Sequence, residues 1–201
     1  MTLTAFILCI VASVLELDIT YAFQLLISRP IIAGPIFGLI TGDVMAGVQV
    51  GIFAELLFSD VSPLGGIIPP NGIVATVLPL ILYHQGVALY FGFFVGVLAA
   101  ILYSLLDTYL RKARSPWLVF LEKEVDRKPT VINRIIFGAL LQSFLMAFVF
   151  ISVAAWISSQ LMLWLTPYLT YKLHVAFLLA YTAVPWIGLA ALLPAFRLKA
   201  R

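Results

Sequence analysis

The chain has 201 residues, of which 63% are hydrophobic and 10% are charged, and its mean hydropathy is +1.12. Soluble globular proteins average about 45–50% apolar and 25% charged residues. The composition therefore excludes a soluble globular protein and indicates an integral membrane protein. At about 20 apolar residues for each crossing, the length allows roughly five to seven membrane elements in one domain, residues 1–201.

Charge is unevenly distributed along the chain. Residues 1–105 contain one basic residue, Arg29, and five acidic ones, whereas residues 106–201 contain eleven basic and four acidic residues. Seven of the eleven lie within the segment 111–134, and three more end the chain: Arg197, Lys199 and Arg201. The positive-inside rule predicts that both places are cytoplasmic, including the C-terminus. With so many apolar segments, this interpretation is favoured over a nucleic-acid partner.

The N-terminal run "MTLTAFILCIVASVLELDITY" has no basic start and no small-residue cleavage site. We therefore expect a retained first helix rather than a signal peptide. Its cysteine, Cys9, is expected to act as a small hydrophobic residue. Glu16 and Asp18 are predicted to end this helix at a membrane interface, with an inward orientation as the alternative.

Residues 28–83 are interrupted by six prolines and eight glycines, which is not typical of straight helices. Gly38 with Gly42, and Gly47 with Gly51, form pairs that permit close contact between helices. The stretch "SPLGGIIPPNG" cannot be one helix, because proline lacks an N–H and disfavours helix in the residue before it. It is either an extramembrane loop or a re-entrant element, which requires a protein-lined or wet environment. We expect an all-α polytopic membrane bundle with a re-entrant, proline-broken element around residues 62–83.

Two acidic residues stand within apolar sequence at Asp43 and Glu55. A carboxylate at the bilayer centre costs about 2.5–3.5 kcal/mol on insertion scales, so such residues are candidates for function. Asp43 could instead cap a helix beginning near Val44. Glu55 follows Gly47 and Gly51 at intervals of four, so the three share one helix face. A carboxylate there could accept hydrogen bonds from sugar hydroxyls, or serve as a proton or sodium site.

The second half of the chain predicts longer helices. An apolar helix with a GxxxG pair, Gly92 and Gly96, should run from Gly86 to the basic segment. The apolar runs 135–165 and 171–196 should form a helical hairpin. The segment 111–134 is expected to be a cytoplasmic linker containing an amphipathic surface helix, either a plain connector or a docking surface.

The two histidines, His84 and His174, stand alone near expected interfaces, and no nucleotide-binding or hydrolase motif is present. We expect no phosphohistidine, metal or cofactor on this chain, and no enzyme activity from this chain alone.

The run "RPIIAGPIFGLITGDVMAGVQVGIFAELLF" followed by "GGIIPPNGIVATVL" resembles the IIC component of the mannose/fructose/sorbose class of the bacterial phosphotransferase system. The shared structural positions are Arg29, Pro30, Gly38, Gly42, Gly47, Gly51, Gly65 and Gly66. The resemblance implies that a sugar pathway forms together with a IID membrane subunit, while soluble IIA and IIB components carry phosphate on histidine. It also assigns substrate contacts to Asp43, Glu55, Pro69, Pro70 and Asn71. The family typically has Asp at the last of these positions.

The expected function is that of the membrane sugar-translocating subunit of a phosphotransferase system in a bacterial inner membrane. It would bind a hexose-type sugar and pass it inward for phosphorylation by phospho-IIB. A gradient-driven secondary transporter is one alternative, and a degenerate IIC that serves as a regulatory or scaffold subunit is another. The glycine pairs also predict an oligomer in the lipid bilayer.

Overall fold

The computed structural model describes residues 2–20, 24–59, 68–124 and 129–198. Within these ranges the regular secondary structure is helical, without strands, which confirms the predicted all-α class. Seven α-helices and one short 3-10 turn follow in chain order: α1 (Leu3–Thr20), α2 (Pro30–Thr41), α3 (Val44–Phe58), α4 (Gly72–His84), α5 (Leu89–Glu124), α6 (Pro129–Leu165), the 3-10 turn (Thr166–Tyr168) and α7 (Tyr171–Leu198).

The helices differ in length. Among the described residues, three stretches are long and apolar enough to cross a membrane, namely Leu89–Trp117, Asn133–Tyr168 and Tyr171–Leu193. Helices α2, α3 and α4 are apolar but have only 12, 15 and 13 residues. At 1.5 Å per residue they are about 18–23 Å long, which is shorter than the hydrocarbon core of about 30 Å. None of these three crosses a bilayer by itself.

Helix α4 forms the centre of the fold and contacts α1, α2, α3, α5 and α6. Ten consecutive residues, Ile73 to Leu82, are buried. Its internal Pro79 packs on α5 where the GxxxG pair removes side chains: a Cβ on Gly96 would lie 2.7 Å from Cδ of Pro79. The predicted close contact at Gly92 and Gly96 is thus made inside the chain.

Helices α2 and α3 form an antiparallel hairpin in which backbone meets backbone. Gly34 and Gly38 of α2 face Gly47 and Gly51 of α3; a Cβ on Gly38 would lie 2.8 Å from the carbonyl oxygen of Asp43. The sequence correctly predicted close contact but wrongly grouped Gly38 with Gly42. Gly42 ends α2 with φ +84° and has no neighbour within 4 Å of a built Cβ.

These glycines are therefore occupied by contacts within one chain. Their spacing was the basis for predicting an oligomer, and that inference loses its support because their faces are already covered. The oligomeric state stays a prediction.

The expected linker 111–134 differs from the structure. Helix α5 continues through the basic residues to Glu124, and α6 begins at Pro129. In the described part of this segment no separate surface helix is formed, since Lys, Arg, Leu and Glu favour helix and the single proline inside α5, Pro116, does not end it. The Arg114 side chain joins the two helices by donating to Oε1 of Gln142 at 3.0 Å and to Oγ of Ser143 at 2.9 Å.

Helices α6 and α7 are joined by the 3-10 turn, as the predicted hairpin requires, but they pack on different neighbours. In the described ranges α6 contacts α1, α4 and α5, whereas α7 contacts α3 and α5. The Phe53 ring of α3 lies 4.8 Å from that of Tyr181 in α7. Helix α7 therefore packs on α3 and α5 rather than on α6.

Candidate functional site

Four helix ends meet around the start of α4: the end of α1, the start of α2, the end of α3 and the start of α4 itself. The backbone N–H of Asn71 donates to the carbonyl of Ala100 at 3.2 Å, and Ala100 lies near the centre of the candidate span Leu89–Trp117. We call the polar side chains gathered here the polar junction: Glu16 and Asp18 of α1, Ser28 and Arg29 before α2, Glu55 of α3, and Asn71 before α4. A polar cluster at mid-span is expensive in lipid, so it indicates a functional site.

Asn71 starts α4 and links it to α1. Its Oδ1 accepts from the backbone N–H of Val74 at 2.9 Å, which caps the helix, and its Nδ2 donates to Oε1 of Glu16 at 2.7 Å. The preceding residues, Pro69 and Pro70, are partly buried and lie outside the helix. The proline-broken element is confirmed in the part described, because α4 begins only after Pro69 and Pro70, whereas Pro79 lies inside α4 and does not end it.

Glu16 and Asp18 are 8% and 7% exposed, so the predicted interface position is wrong and the inward alternative holds. Oε2 of Glu16 accepts no hydrogen bond in the described part of the chain, although the Tyr103 hydroxyl lies close to the same carboxyl group. Glu16 can be buried because Asn71, the N-cap residue of α4, donates a hydrogen bond to it. At a membrane interface, water would have supplied that hydrogen bond.

Asp18 holds the connection between α1 and α2. Its carboxylate accepts from the backbone N–H of Leu25 at 2.7 Å and from both the N–H and the hydroxyl of Ser28 at 3.3 Å. Gln24 and Leu26 in this connection have φ of +51° and +63°. Such left-handed conformations are uncommon without glycine and concentrate at functional sites. The Asp18 hydrogen bonds compensate for part of that strain.

Glu55 pairs with Arg29 at the start of α2. Oε1 of Glu55 lies 2.8 Å from Nη1 of Arg29, and Oε2 accepts from the N–H of Ile31 at 3.5 Å. The Arg29 and Glu55 side chains are 57% and 21% exposed. Glu55 thus lies on the same face of α3 as the glycines and points towards α2, as its spacing predicts. Its carboxylate remains partly exposed.

Pro30 connects this ion pair to the Asn71 side of the junction. A Cβ on Gly72, the residue after Asn71, would lie 2.6 Å from Cγ of Pro30. Pro30 is the first residue of α2 and Arg29 precedes it as the N-cap residue. The starts of α2 and α4 are therefore side by side, with their positive dipole ends at the junction.

Asp43 lies away from the junction, at the opposite end of α3. Its Oδ1 accepts from the N–H of Ala46 at 2.9 Å, and its Oδ2 accepts from the hydroxyl of Tyr83 at 3.1 Å. The capping interpretation is confirmed, with α3 beginning at Val44 as expected. About twelve residues of helix separate it from Glu55, or about 18 Å, so these two acids do not share one site.

The remaining glycines and histidines discussed in the sequence lie in different parts of the chain, none of them at the polar junction in the described residues. Gly65 and Gly66 lie outside the described residues. His84 is exposed at the end of α4, whereas His174 Nδ1 lies 2.7 Å from the Tyr90 hydroxyl, far along α5 from the junction.

The sequence pattern indicated Glu55 and Asn71 but did not assign Glu16 and Asp18 to the site. The available signal was the pair of acids in "LELD", with Arg29 the only nearby base.

The junction presents several hydrogen-bonding groups of different chemistry: the Glu16 and Glu55 carboxylates, the Asn71 amide and the Arg29 guanidinium. Carboxylates accept strong, charge-assisted hydrogen bonds from hydroxyl groups, while guanidinium and amide groups donate. This combination suits a neutral, hydroxyl-rich solute.

Comparison with curated proteins finds two relatives in Escherichia coli (strain K12). A putative N-acetylgalactosamine permease IIC component 2 is 37% identical over 76 residues, covering 38% of this chain and 56% of the relative. An N-acetylgalactosamine permease IIC component 1 is 29% identical over 116 residues, covering 53% of this chain and 43% of the relative. The matches therefore span about half the length of these relatives.

Two solved structures have the same fold. One, described as a membrane protein, has a TM-score of 0.78 at 19% identity and covers 98% of this chain and 85% of its own. The other, a cryo-EM structure of the mannose transporter ManYZ with microcin E492, has a TM-score of 0.51 at 20% identity and covers 96% and 77%. Both likenesses show a membrane-protein fold.

The sequence model of the family described as the PTS system sorbose-specific IIC component matches residues 2–199. This range includes the glycine-lined α2–α3 hairpin and the whole polar junction. The chain is a multi-pass membrane protein and belongs to the sorbose-specific IIC family of the phosphotransferase system.

Proposed function

We propose that this chain is the membrane sugar-translocating subunit of a phosphotransferase system, with its sugar site at the polar junction. The observation that carries the proposal is the Glu16–Asn71 hydrogen bond beside Ala100, because it holds a buried carboxylate at mid-span. The other oxygen of that carboxylate, Oε2, is buried and accepts no hydrogen bond in the described part of the chain. Transporters commonly place polar substrates at the membrane midplane, where helices are broken.

Glu55 and Asn71 are the proposed substrate contacts retained from the sequence, with Pro69 and Pro70 shaping the approach to Asn71. Glu16 joins them as an acceptor for a sugar hydroxyl. The role of Asp43 as a substrate contact stays a prediction. Its two hydrogen bonds support a structural role in the α2–α3 turn, about 18 Å from Glu55 along the helix.

The proposed substrate class is a hexose or an amino-hexose. Both Escherichia coli relatives are named as N-acetylgalactosamine permease components, and one protein of similar fold is a mannose transporter, which supports this class. Asn71 would recognise hydroxyl or amide groups without adding charge, since a neutral amide both donates and accepts.

The proposed partners follow from family membership. A IID membrane subunit completes the sugar pathway. IIB receives its phosphoryl group from IIA and then phosphorylates the arriving sugar. The protein would lie in a bacterial inner membrane with its C-terminus in the cytoplasm, as its basic residues predict.

The test uses Glu55 and its ion-pair partner in cells that contain IIA, IIB and IID. We expect Glu55→Ala to lower sugar uptake and phosphorylation at least about tenfold at normal abundance, because a charge-assisted acceptor is lost. The charge-exchanged variant, Arg29→Glu with Glu55→Arg, is the control: it restores an ion pair but not the acceptor, so transport stays low.

Transport at the wild-type rate in Glu55→Ala would show that Glu55 does not contact the substrate. Transport in the charge-exchanged variant would show that the ion pair alone matters. Accumulation of unphosphorylated sugar that stops with an ionophore would contradict group translocation and favour a gradient-driven transporter.

A further inference from the structure

The buried carboxyl group of Glu16 is hydrogen-bonded at only one of its two oxygens in the described part of the chain. Oε1 accepts from Nδ2 of Asn71 at 2.7 Å, whereas Oε2 accepts no hydrogen bond there. The last torsion of a glutamate side chain joins an sp³ carbon to an sp² carbon, and its preferred range is broad. One hydrogen bond therefore does not fix the carboxyl plane, and the direction of Oε2 depends on a second contact.

Tyr103 of α5 is placed to make that second contact. Asn71 donates its backbone N–H to the carbonyl of Ala100 at 3.2 Å, which brings Glu16 to the turn of α5 that contains Ala100 and Tyr103. The Tyr103 hydroxyl lies close to the Glu16 carboxyl group. In the described ranges, helices α1 and α5 both pack on α4 and α6 but not on each other. A long side chain is therefore needed to reach Glu16 from α5, and Tyr103 has the necessary length.

The Tyr103 ring is itself held in place by packing. Tyr103 is 4% exposed, and its ring centroid lies 5.1 Å from that of Phe150 in α6, with an angle of 65° between the ring planes. Edge-to-face pairs of this kind add to the energy of burial. Because the ring is already ordered, its hydroxyl can hold a neighbouring group at little further cost in conformational entropy.

Two charged groups further along α5 act on Glu16 with less directionality. Asp107 and Arg111 lie one and two turns beyond Tyr103 and form an ion pair at 2.8 Å. Both influence the Glu16 carboxyl group electrostatically, but their opposite charges partly cancel. A Coulomb interaction depends on distance alone, whereas a hydrogen bond also depends on angle. A hydroxyl group is therefore better suited to orient the carboxyl plane.

We propose that Tyr103 is a positioning residue of the sugar site: its hydroxyl holds the Glu16 carboxyl group so that Oε2 points towards a hydroxyl group of the sugar. This rests on the proposed function, in which Glu16 accepts from a sugar hydroxyl. Tyr103 acts through Glu16 and does not need to touch the sugar. Without the Tyr103 hydroxyl the carboxyl group samples other orientations, and the apparent affinity falls with the fraction of molecules that are correctly oriented.

The test compares two deletions of a single hydroxyl group, Tyr103→Phe and Tyr181→Phe, in the full chain in cells that contain IIA, IIB and IID. Tyr181 is the matched control, because it is 3% exposed and its hydroxyl has no hydrogen-bond partner in the described part of the chain. Initial rates of uptake and phosphorylation, with N-acetylgalactosamine and mannose as probes, give KM and kcat.

We expect Tyr103→Phe to raise KM about tenfold, the size of effect expected when a hydrogen bond to a charged group is lost. The kcat value should stay within about twofold of wild type, since a loss of uniform binding raises KM alone. Tyr181→Phe should change neither value. A purely structural defect would lower the amount of active protein without changing KM.

The dependence on Glu16 is measured in two ways. In a Glu16→Gln background, Tyr103→Phe should change KM by less than about twofold, because two changes that act through one group are not additive. Infrared difference spectroscopy of the purified chain provides a measurement without sugar. The Glu16 carboxyl band is identified by its loss in Glu16→Gln, and Tyr103→Phe should shift this band, whereas Tyr181→Phe should not.

Three results would overturn the role of Tyr103: an unchanged KM in Tyr103→Phe, an equal rise in KM with and without the Glu16 carboxyl group, or an unshifted Glu16 band. Failure of the proposed function would look different. The wild-type chain would then take up and phosphorylate neither sugar, and this would reject the proposed function and the positioning role together, even if the Glu16 band shifts.

Discussion

The side-chain amide of Asn71 donates a 2.7 Å hydrogen bond to the carboxylate of Glu16, 55 residues earlier in the chain. The same Asn71 caps α4 through its other side-chain atom. One residue therefore fixes both the start of the central helix and the position of a buried acid. This double role makes position 71 sensitive to the difference between an amide and a carboxylate.

Asn71→Asp should keep the helix cap but lose the donor to Glu16, placing two carboxylates together. Hydrogen bonds to charged groups contribute about 1.5–3 kcal/mol. For a chain of this size each kcal/mol shifts Tm by about 2–4 °C, so we expect Tm in detergent to fall by several degrees. Adding Glu16→Gln restores a donor and should recover most of the loss. If the single and double variants melt alike, Asn71 and Glu16 are not coupled.

Gly47→Ala should strongly destabilise the α2–α3 hairpin. Its Cβ would overlap the carbonyl oxygen of Gly34, and overpacking of this kind typically costs about 1–3 kcal/mol. The matched control is Gly138→Ala in α6, whose Cβ would meet nothing within 4 Å; it should be neutral or stabilise by up to about 1 kcal/mol. Thermal unfolding followed by size-exclusion chromatography compares them. Equal stability would contradict the backbone contact.

The contributions of the two hydrogen bonds of Asp43 to stability can be measured separately. Asp43→Asn retains an acceptor for the Ala46 N–H and should lose little stability, whereas Asp43→Ala removes the cap at a cost of about 0.5–2 kcal/mol. Tyr83→Phe removes only the second bond, worth about 0.5–1.5 kcal/mol. Thermal unfolding in detergent measures all three variants, and equal losses for Asp43→Asn and Asp43→Ala would contradict the capping role.

Sugar uptake by Asp43→Asn then tests the function of this residue. Near-normal uptake agrees with a structural role. A loss of uptake with unchanged Tm would place Asp43 in the substrate pathway, as the family resemblance predicts.

Local features were predicted from the sequence because they depend on neighbouring residues. The cap at Asp43, the start of α3 at Val44 and the break before Gly72 all follow from backbone chemistry that a few residues determine. The glycine face of α3 was also predictable from spacing alone. Its partner face on α2 was not, because that depends on the left-handed turn at Gly42.

Long-range features could not be obtained in the same way. The depth of Glu16 is decided by Asn71, which lies far away in sequence, and "LELD" alone fits either a helix end or a buried site. The continuation of α5 past Pro116 was missed because alternating charged and apolar residues are equally typical of a surface helix.

The hairpin of α2 and α3 has a mechanical consequence. At its four facing glycines the interface contains main-chain atoms instead of side chains, so no rotamer change there can absorb a shift between the two axes, and close packing resists separation. The two helices should therefore move as one rigid unit, which is bonded to Tyr83 of α4 through Asp43 at one end and carries the Arg29–Glu55 ion pair at the other. A tilt at one end should therefore also move the other end.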